Sequence, residues 1–176
     1  VERLTAFVDE LEFGFGWLSP ERPKLRLTGH ALLAEGGVWL VDPPEADGVE
    51  ERIHVLGEPA GVLQLLDRHD RDCAELARRL GVPHHRVPFE PVGPFETIPI
   101  VRRRFWREVA LWWPERRVLV CGDALGTVPH YFALDGERLG VHPLLRLTPP
   151  RQLARREPEH VLCGHGAGVH EHAVQA

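Results

Sequence analysis

Short apolar runs, several of them alternating, divide the chain into many strands and few helices. HALLAEGGVWLVD (30–42) sets two apolar runs around the turn EGG, which predicts a β-hairpin, and the prolines of DPP stop it. GVLQLL (61–66) is apolar almost throughout, as a strand covered on both faces is. DRDCAELARRL (70–80) then turns helical, with Asp70 or Asp72 as N-cap and Gly81 and Pro83 as its stop. REVALWWPERRVLVCGD (107–123) predicts a second hairpin turning at PERR. Alternation there sends Trp112 and Trp113 to opposite faces, one to the core and one to solvent. TPPRQLARRE (148–157) fits a helix capped by Thr148. EHVLCGHG (159–166) fits a strand ending in a glycine-flanked histidine, and VHEHAVQA (169–176) a closing helix. The segment 90–105, with three prolines and an arginine run, predicts a loop and an edge strand.

Composition narrows the class. The 176 residues are 43% hydrophobic and 27% charged, which fits one globular domain over 1–176 with its own core. No apolar run reaches the length of about 18 residues that a membrane span needs. The N-terminus VERLTAFVDELEFGF is acidic where a secretion signal is basic, so a cytoplasmic protein is expected. Net charge is −5, which weighs against nucleic acid as a general partner. Asn and Met are absent and Lys24 is the only lysine, a bias that fits a thermophile or skewed codon usage. Cys73, Cys121 and Cys163 are too few and too odd in number for a disulfide framework.

Polar residues gather where three strands end, at LDRHDRDC, VLVCGD and VLCGHG. Loops at strand ends hold side chains that the sheet keeps rigid, and ligands bind there. Asp72, Cys73, Asp123 and His165 are thus candidates for one site. Each has an ordinary reading alone: a helix cap, a buried thiol, a turn residue and a loop histidine. The pairs His84–His85 and His170–His172 are expected at the surface, and Trp106 at the site mouth or a sheet edge.

The order of these motifs resembles the metallo-β-lactamase superfamily. The resemblance runs from about residue 28 to the C-terminus: LLAEGGVWLVDPP with Asp42, VLQLLDRHDRDCAELARRLGVP, ERRVLVCGDAL and PEHVLCGHG. It implies an α/β fold, an αββα sandwich in a short version. Laid on the family's T-H-x-H-x-D-H motif, Arg68 and Asp70 fall on the first two histidines, Asp72 on the aspartate and Cys73 on the last histidine. Arg104 falls nearest the histidine of G-H-T-x-G. Positions 68, 70 and 104 would hold the first metal, and a guanidinium cannot be a ligand. The second position retains Asp72, Cys73, Asp123 and His165, an acceptable zinc set.

The resemblance therefore implies no cofactor or one zinc ion, and leaves three readings. In the first, Arg68 and Arg104 replace the lost cation beside the acids, and the protein lacks the family's metal-dependent hydrolysis. In the second, one zinc activates water for hydrolysis of an ester, thioester or phosphodiester, and an arginine clamps a small anionic ligand. In the third, arginines 68, 71, 102, 103, 104 and 107 bind phosphate or nucleic acid without catalysis. Oligomeric state is not legible in the sequence.

Overall fold

The apolar runs pair into sheets in the computed structural model, which describes residues 5–21, 23–69, 71–171 and 173. An antiparallel ribbon that the sequence reading did not single out comes first, β1 (Ala6–Leu11) and β2 (Gly14–Leu18). The expected hairpin follows as β3 (Thr28–Ala34) and β4 (Gly37–Val41). Its turn holds Glu35 at φ 50° and Gly36 at φ 80°, a left-handed pair that matches the twist of the strands. Helix α1 (Val49–Leu56) crosses over to β5 (Pro59–Gln64), and α2 (Cys73–Leu80) crosses over to β6 (His84–Arg86). The crossovers make β4, β5 and β6 parallel. This first sheet has the order β1-β2-β3-β4-β5-β6.

The second sheet begins at β7 (Glu96–Arg103), the expected edge strand, and continues in the hairpin β8 (Trp106–Trp113) and β9 (Val118–Cys121). A short pair, β10 (Leu125–Gly126) and β11 (Gly140–Val141), and helix α3 (Arg151–Ala154) lead to β12 (His160–Cys163) and β13 (Val169–His170). The order is β13-β12-β9-β8-β7, and β12 lies parallel to β9.

Burial explains the layering. Leu32, Val41 and Leu63 of the first sheet meet Val109, Leu111, Trp113 and Leu162 of the second in a common core. Val49 and Ile53 of α1 and Cys73, Leu76 and Ala77 of α2 cover the outer face of the first sheet over Trp17, Leu40 and Val62. Leu145 and Leu153 do the same for Trp112, Leu119 and Val161 on the second. The result is the expected αββα arrangement. Among the described residues no helix is long and apolar enough to cross a membrane.

Three local expectations change. Trp112 and Trp113 do face opposite sides, yet both are buried, because the second sheet is covered on its outer face too. The helix over 148–157 contracts to α3, whose one buried side chain is Leu153. The C-terminal segment pairs as a strand, with Val169 opposite Val161, instead of forming a helix; residues 172 and 174–176 lie outside the described residues. His170 consequently engages the fold. Its Nε2 meets Asp9 Oδ1 at 2.9 Å, and the same carboxylate meets His30 Nε2 at 3.1 Å through Oδ2.

The topology decides where chemistry can sit. Asp42 follows β4, His69 follows β5, Asp123 follows β9 and His165 follows β12, all at carboxyl ends of strands. Parallel pairing of β4 with β5, and of β9 with β12, puts each pair of ends side by side. The two sheets are tied there by a bridge between Leu27 and His165 and by the Thr28 N–H, which donates to Gly164 O at 3.0 Å. A Cβ on Gly164 would meet Gly122 O at 2.9 Å, so glycine is what lets these two strand ends approach.

Candidate metal centre

Asp123 is the hub. Its Oδ1 lies 2.7 Å from His69 Nε2 and 2.9 Å from His165 Nε2. Each histidine is anchored by its other nitrogen. His69 Nδ1 faces Asp42 Oδ2 at 3.1 Å, and His165 Nδ1 faces Leu25 O at 2.8 Å. Asp42 is itself fixed, since Oδ1 accepts the Leu65 N–H at 2.9 Å. Phe132 stacks on the His165 ring at 5.3 Å and shields it.

These contacts determine the tautomers. A carboxylate and a carbonyl are acceptors only, so both Nδ1 atoms carry hydrogen. Both Nε2 atoms then turn toward one carboxylate oxygen. They must either carry a second proton each or present lone pairs to a cation shared with Asp123. An imidazole whose distal N–H is held by a carboxylate or a backbone carbonyl is the usual build of a metal ligand. His69, Asp123 and His165 offer ligand atoms that all lie within 4.8 Å of one another, the single such group of three among the described residues. The donor set fits one ion of the zinc type: two imidazoles and a carboxylate leave a fourth position open.

The electrostatics agree. Burial and Arg71 oppose a second proton on His69, yet the carboxylates of Asp123 and Asp42 outweigh them and raise its pKa. Burial alone would raise Asp123, but the two histidines hold its carboxyl far below the usual carboxylate range. Charge at the hub is therefore separated and fixed.

Two arginines stand close. Arg68 places NH2 3.7 Å from Asp123 Oδ2, a half-exposed ion pair beyond hydrogen-bond length. Arg71 turns inward, donating from NH1 to Thr28 O at 2.6 Å and Asp42 O at 2.7 Å, and from NH2 to Gly164 O at 2.9 Å. It thereby stitches together the strand ends that carry Asp42 and His165. Arg104 lies over the exposed Phe105 ring at the β7–β8 turn, and Arg102 over Phe89.

Of the residues singled out in the sequence, the structure brings Asp123 and His165 together, with Asp42 behind them. Asp72 lines the same cavity, but its Oδ2 accepts the Glu45 N–H at 2.6 Å. Cys73 is wholly buried in the layer between α2 and the first sheet, with Sγ 3.8 Å from His69 O. Asp70 lies outside the described residues. His69 and Arg71 were the residues the motif alignment passed over. Both stand in LDRHDRDC, where the signal was residue type: a histidine after an apolar strand.

Glu108 sits fully buried beneath this centre, accepting from Trp106 Nε1 at 2.9 Å and from the Ala124 N–H at 2.6 Å. Burial first, and the charge of Asp123 second, push its pKa up from 4.5 to about 7. In that interval the folded state binds more protons than the unfolded one, so its contribution is full below pH 4.5 and lost as pH rises through about 7. For the chelator-treated protein this amounts to a loss on the order of 3 kcal/mol. Denaturant unfolding across this range should show the slope in the wild type and a flatter one in Glu108→Gln. An equal slope in both would assign the pH dependence to other groups.

Compared by sequence, the chain matches no family model and no curated relative. Compared by fold, it is similar to many solved structures. One is the metallo-β-lactamase FIM-1 from Pseudomonas aeruginosa in a mono-zinc form, with TM-score 0.68 and 12% identity, covering 99% of this chain and 93% of that one. A metallo-β-lactamase from Pontibacter korlensis gives TM-score 0.63 and 11% identity, covering 97% and 95%. TTHA1623, solved in a di-iron-bound form, gives TM-score 0.57 and 18% identity, covering 87% and 92%.

Proposed function

From a chain that has the metallo-β-lactamase fold, we infer a hydrolase that works with one metal ion held by His69, Asp123 and His165. The observation that carries this is the convergence of two Nε2 atoms on Asp123 Oδ1, each imidazole anchored behind by an acceptor. An ion held by these three residues would supply Lewis acidity and lower the pKa of a water in its open position. Zinc suits the donor set, and a neighbour in fold was solved in a mono-zinc form.

The chain's own residues do the rest. Asp42 and Leu25 O set the histidine tautomers, and Arg71 fixes the strand ends. Phe132 keeps water off one face of His165. The centre opens into a cavity of about 740 Å³ bordered by Leu25, Tyr131 and Phe132 on its apolar side, a size for a small ester, thioester or phosphodiester.

A second reading follows from Arg68. Its ion pair with Asp123, and the mutual contacts of the three ligand residues, support a protein that holds this charge without an ion and lacks the family's chemistry. Hydrolysis of a panel of nitrophenyl esters, thioesters and phosphodiesters by the zinc-supplemented protein separates the two. Turnover that is lost in His69→Ala supports the hydrolase. No turnover of any class, or turnover indifferent to His69→Ala, supports the second reading.

A further inference from the structure

The cavity wall beside the centre carries donors that the metal site does not use. His142 is buried to 7% exposure and its ring lies among Trp106, Tyr131 and Phe132, at 5.1, 5.9 and 5.8 Å. Its Nδ1 accepts the Leu144 N–H at 3.2 Å, so Nδ1 has the lone pair and Nε2 carries the hydrogen. Among the described residues that Nε2–H has no partner, although the ring lines the cavity. Burial first lowers its pKa, and although Asp123 opposes the shift, Arg68, His165 and Arg146 add to it, which favours the neutral donor.

Arg68 shares the same platform. Its guanidinium lies 4.8 Å from the Trp106 ring and makes a 3.7 Å ion pair to Asp123. Its other N–H groups have no described partner, and they too border the cavity. Trp106 is held in turn by its Nε1–H bond to Glu108. The wall is therefore braced before any ligand arrives. Besides Asp123 at the centre, the acids that line the cavity are Glu21, Glu45, Asp47 and Asp72, and the Asp72 carboxylate is occupied by the Glu45 amide. Arg146 does not join the wall, because it donates to Tyr131 O and Phe132 O and clamps their loop.

We propose that Arg68 and the Nε2–H of His142, both packed against Trp106, form an oxyanion-holding subsite in the cavity, and that the substrate is an ester bearing a carboxylate or phosphate group beside the bond that is cleaved. The substrate class rests on the hydrolase reading; the subsite itself does not. A guanidinium gives charge and two parallel donors, and a neutral imidazole adds a directed third without a second charge to desolvate. Trp106 prevents the arginine from folding away.

The test is calorimetric titration of the chelator-treated full chain with inorganic phosphate and, separately, with acetate at low ionic strength. Saturable binding at about millimolar concentration is expected, weakening as salt rises. Arg68→Met keeps the stem and His142→Phe keeps the ring, so neither should unfold the wall, which circular dichroism checks. Each should weaken binding by about tenfold. Stronger binding of phosphate than acetate assigns a substrate whose neighbouring group is a phosphate, and the reverse one whose neighbouring group is a carboxylate. Unchanged binding in both variants, or no binding of either anion to the wild type, overturns the proposal. Metal content of the same preparations before chelation reads the hydrolase inference independently, so either can fail alone.

Discussion

Arg71→Ala is expected to lower the stability of the fold by about 3–5 kcal/mol, the largest effect foreseen for any single substitution outside the apolar core. The side chain is charged and partly buried, and it donates to three backbone carbonyls, of Thr28, Asp42 and Gly164. Those carbonyls belong to both sheets, so one guanidinium closes the end of the sandwich where the metal centre sits. Alanine would leave three acceptors to find water in a confined space. With about 2–4 °C lost per kcal/mol for a chain of this size, Tm should fall by roughly 10 °C. Arg71→Lys should recover only part, because an ammonium on a single stem cannot span three carbonyls as a planar fork does. A thermal shift under about 2 °C for the alanine variant would mean that the strand ends are held by other contacts.

The second large effect concerns the hub. Asp123→Ala removes the oxygen that both Nε2 nitrogens approach. Metal affinity should drop by more than about a hundredfold, and hydrolysis with it. Asp42→Ala should be milder, about 10- to 100-fold in metal affinity, since that carboxylate only orients His69. Isothermal titration with zinc measures both. Equal losses in the two variants would make Asp42 a ligand and not an anchor.

Much of this architecture is legible in the sequence, and the reason lies in periodicity. The β3–β4 and β8–β9 hairpins carry clear alternation and turn residues, and β5 carries an unbroken apolar run. Asp123 and His165 are legible because each follows a strand through a glycine. The N-terminal ribbon is harder, since AFVDEL does not alternate and glycines interrupt GFGWL, and β13 is too short to show any pattern. His170 reads as a surface histidine until its strand pairing brings it to Asp9. His69 is obscured for another reason. Aligning LDRHDRDC by its acids and its cysteine sends His69 to a variable position, whereas His69 lies in a turn ahead of α2 and Arg71 takes φ 38°. Spacing along the sequence then no longer reports spacing in the cavity. His142 was invisible because nothing in GVHPLLR marks a site; its tautomer and its aromatic surroundings exist only in the fold.

The central claim is the identity of the ligands, and metal content per chain tests it most directly. The wild-type chain, His69→Ala and Cys73→Ala should each be loaded with zinc, dialysed and analysed by mass spectrometry of the metal. About one ion is expected in the wild type and in Cys73→Ala, and close to none in His69→Ala, as a three-ligand site lacking one imidazole requires. An ion retained by His69→Ala and lost from Cys73→Ala, or no ion in the wild type at all, would contradict it.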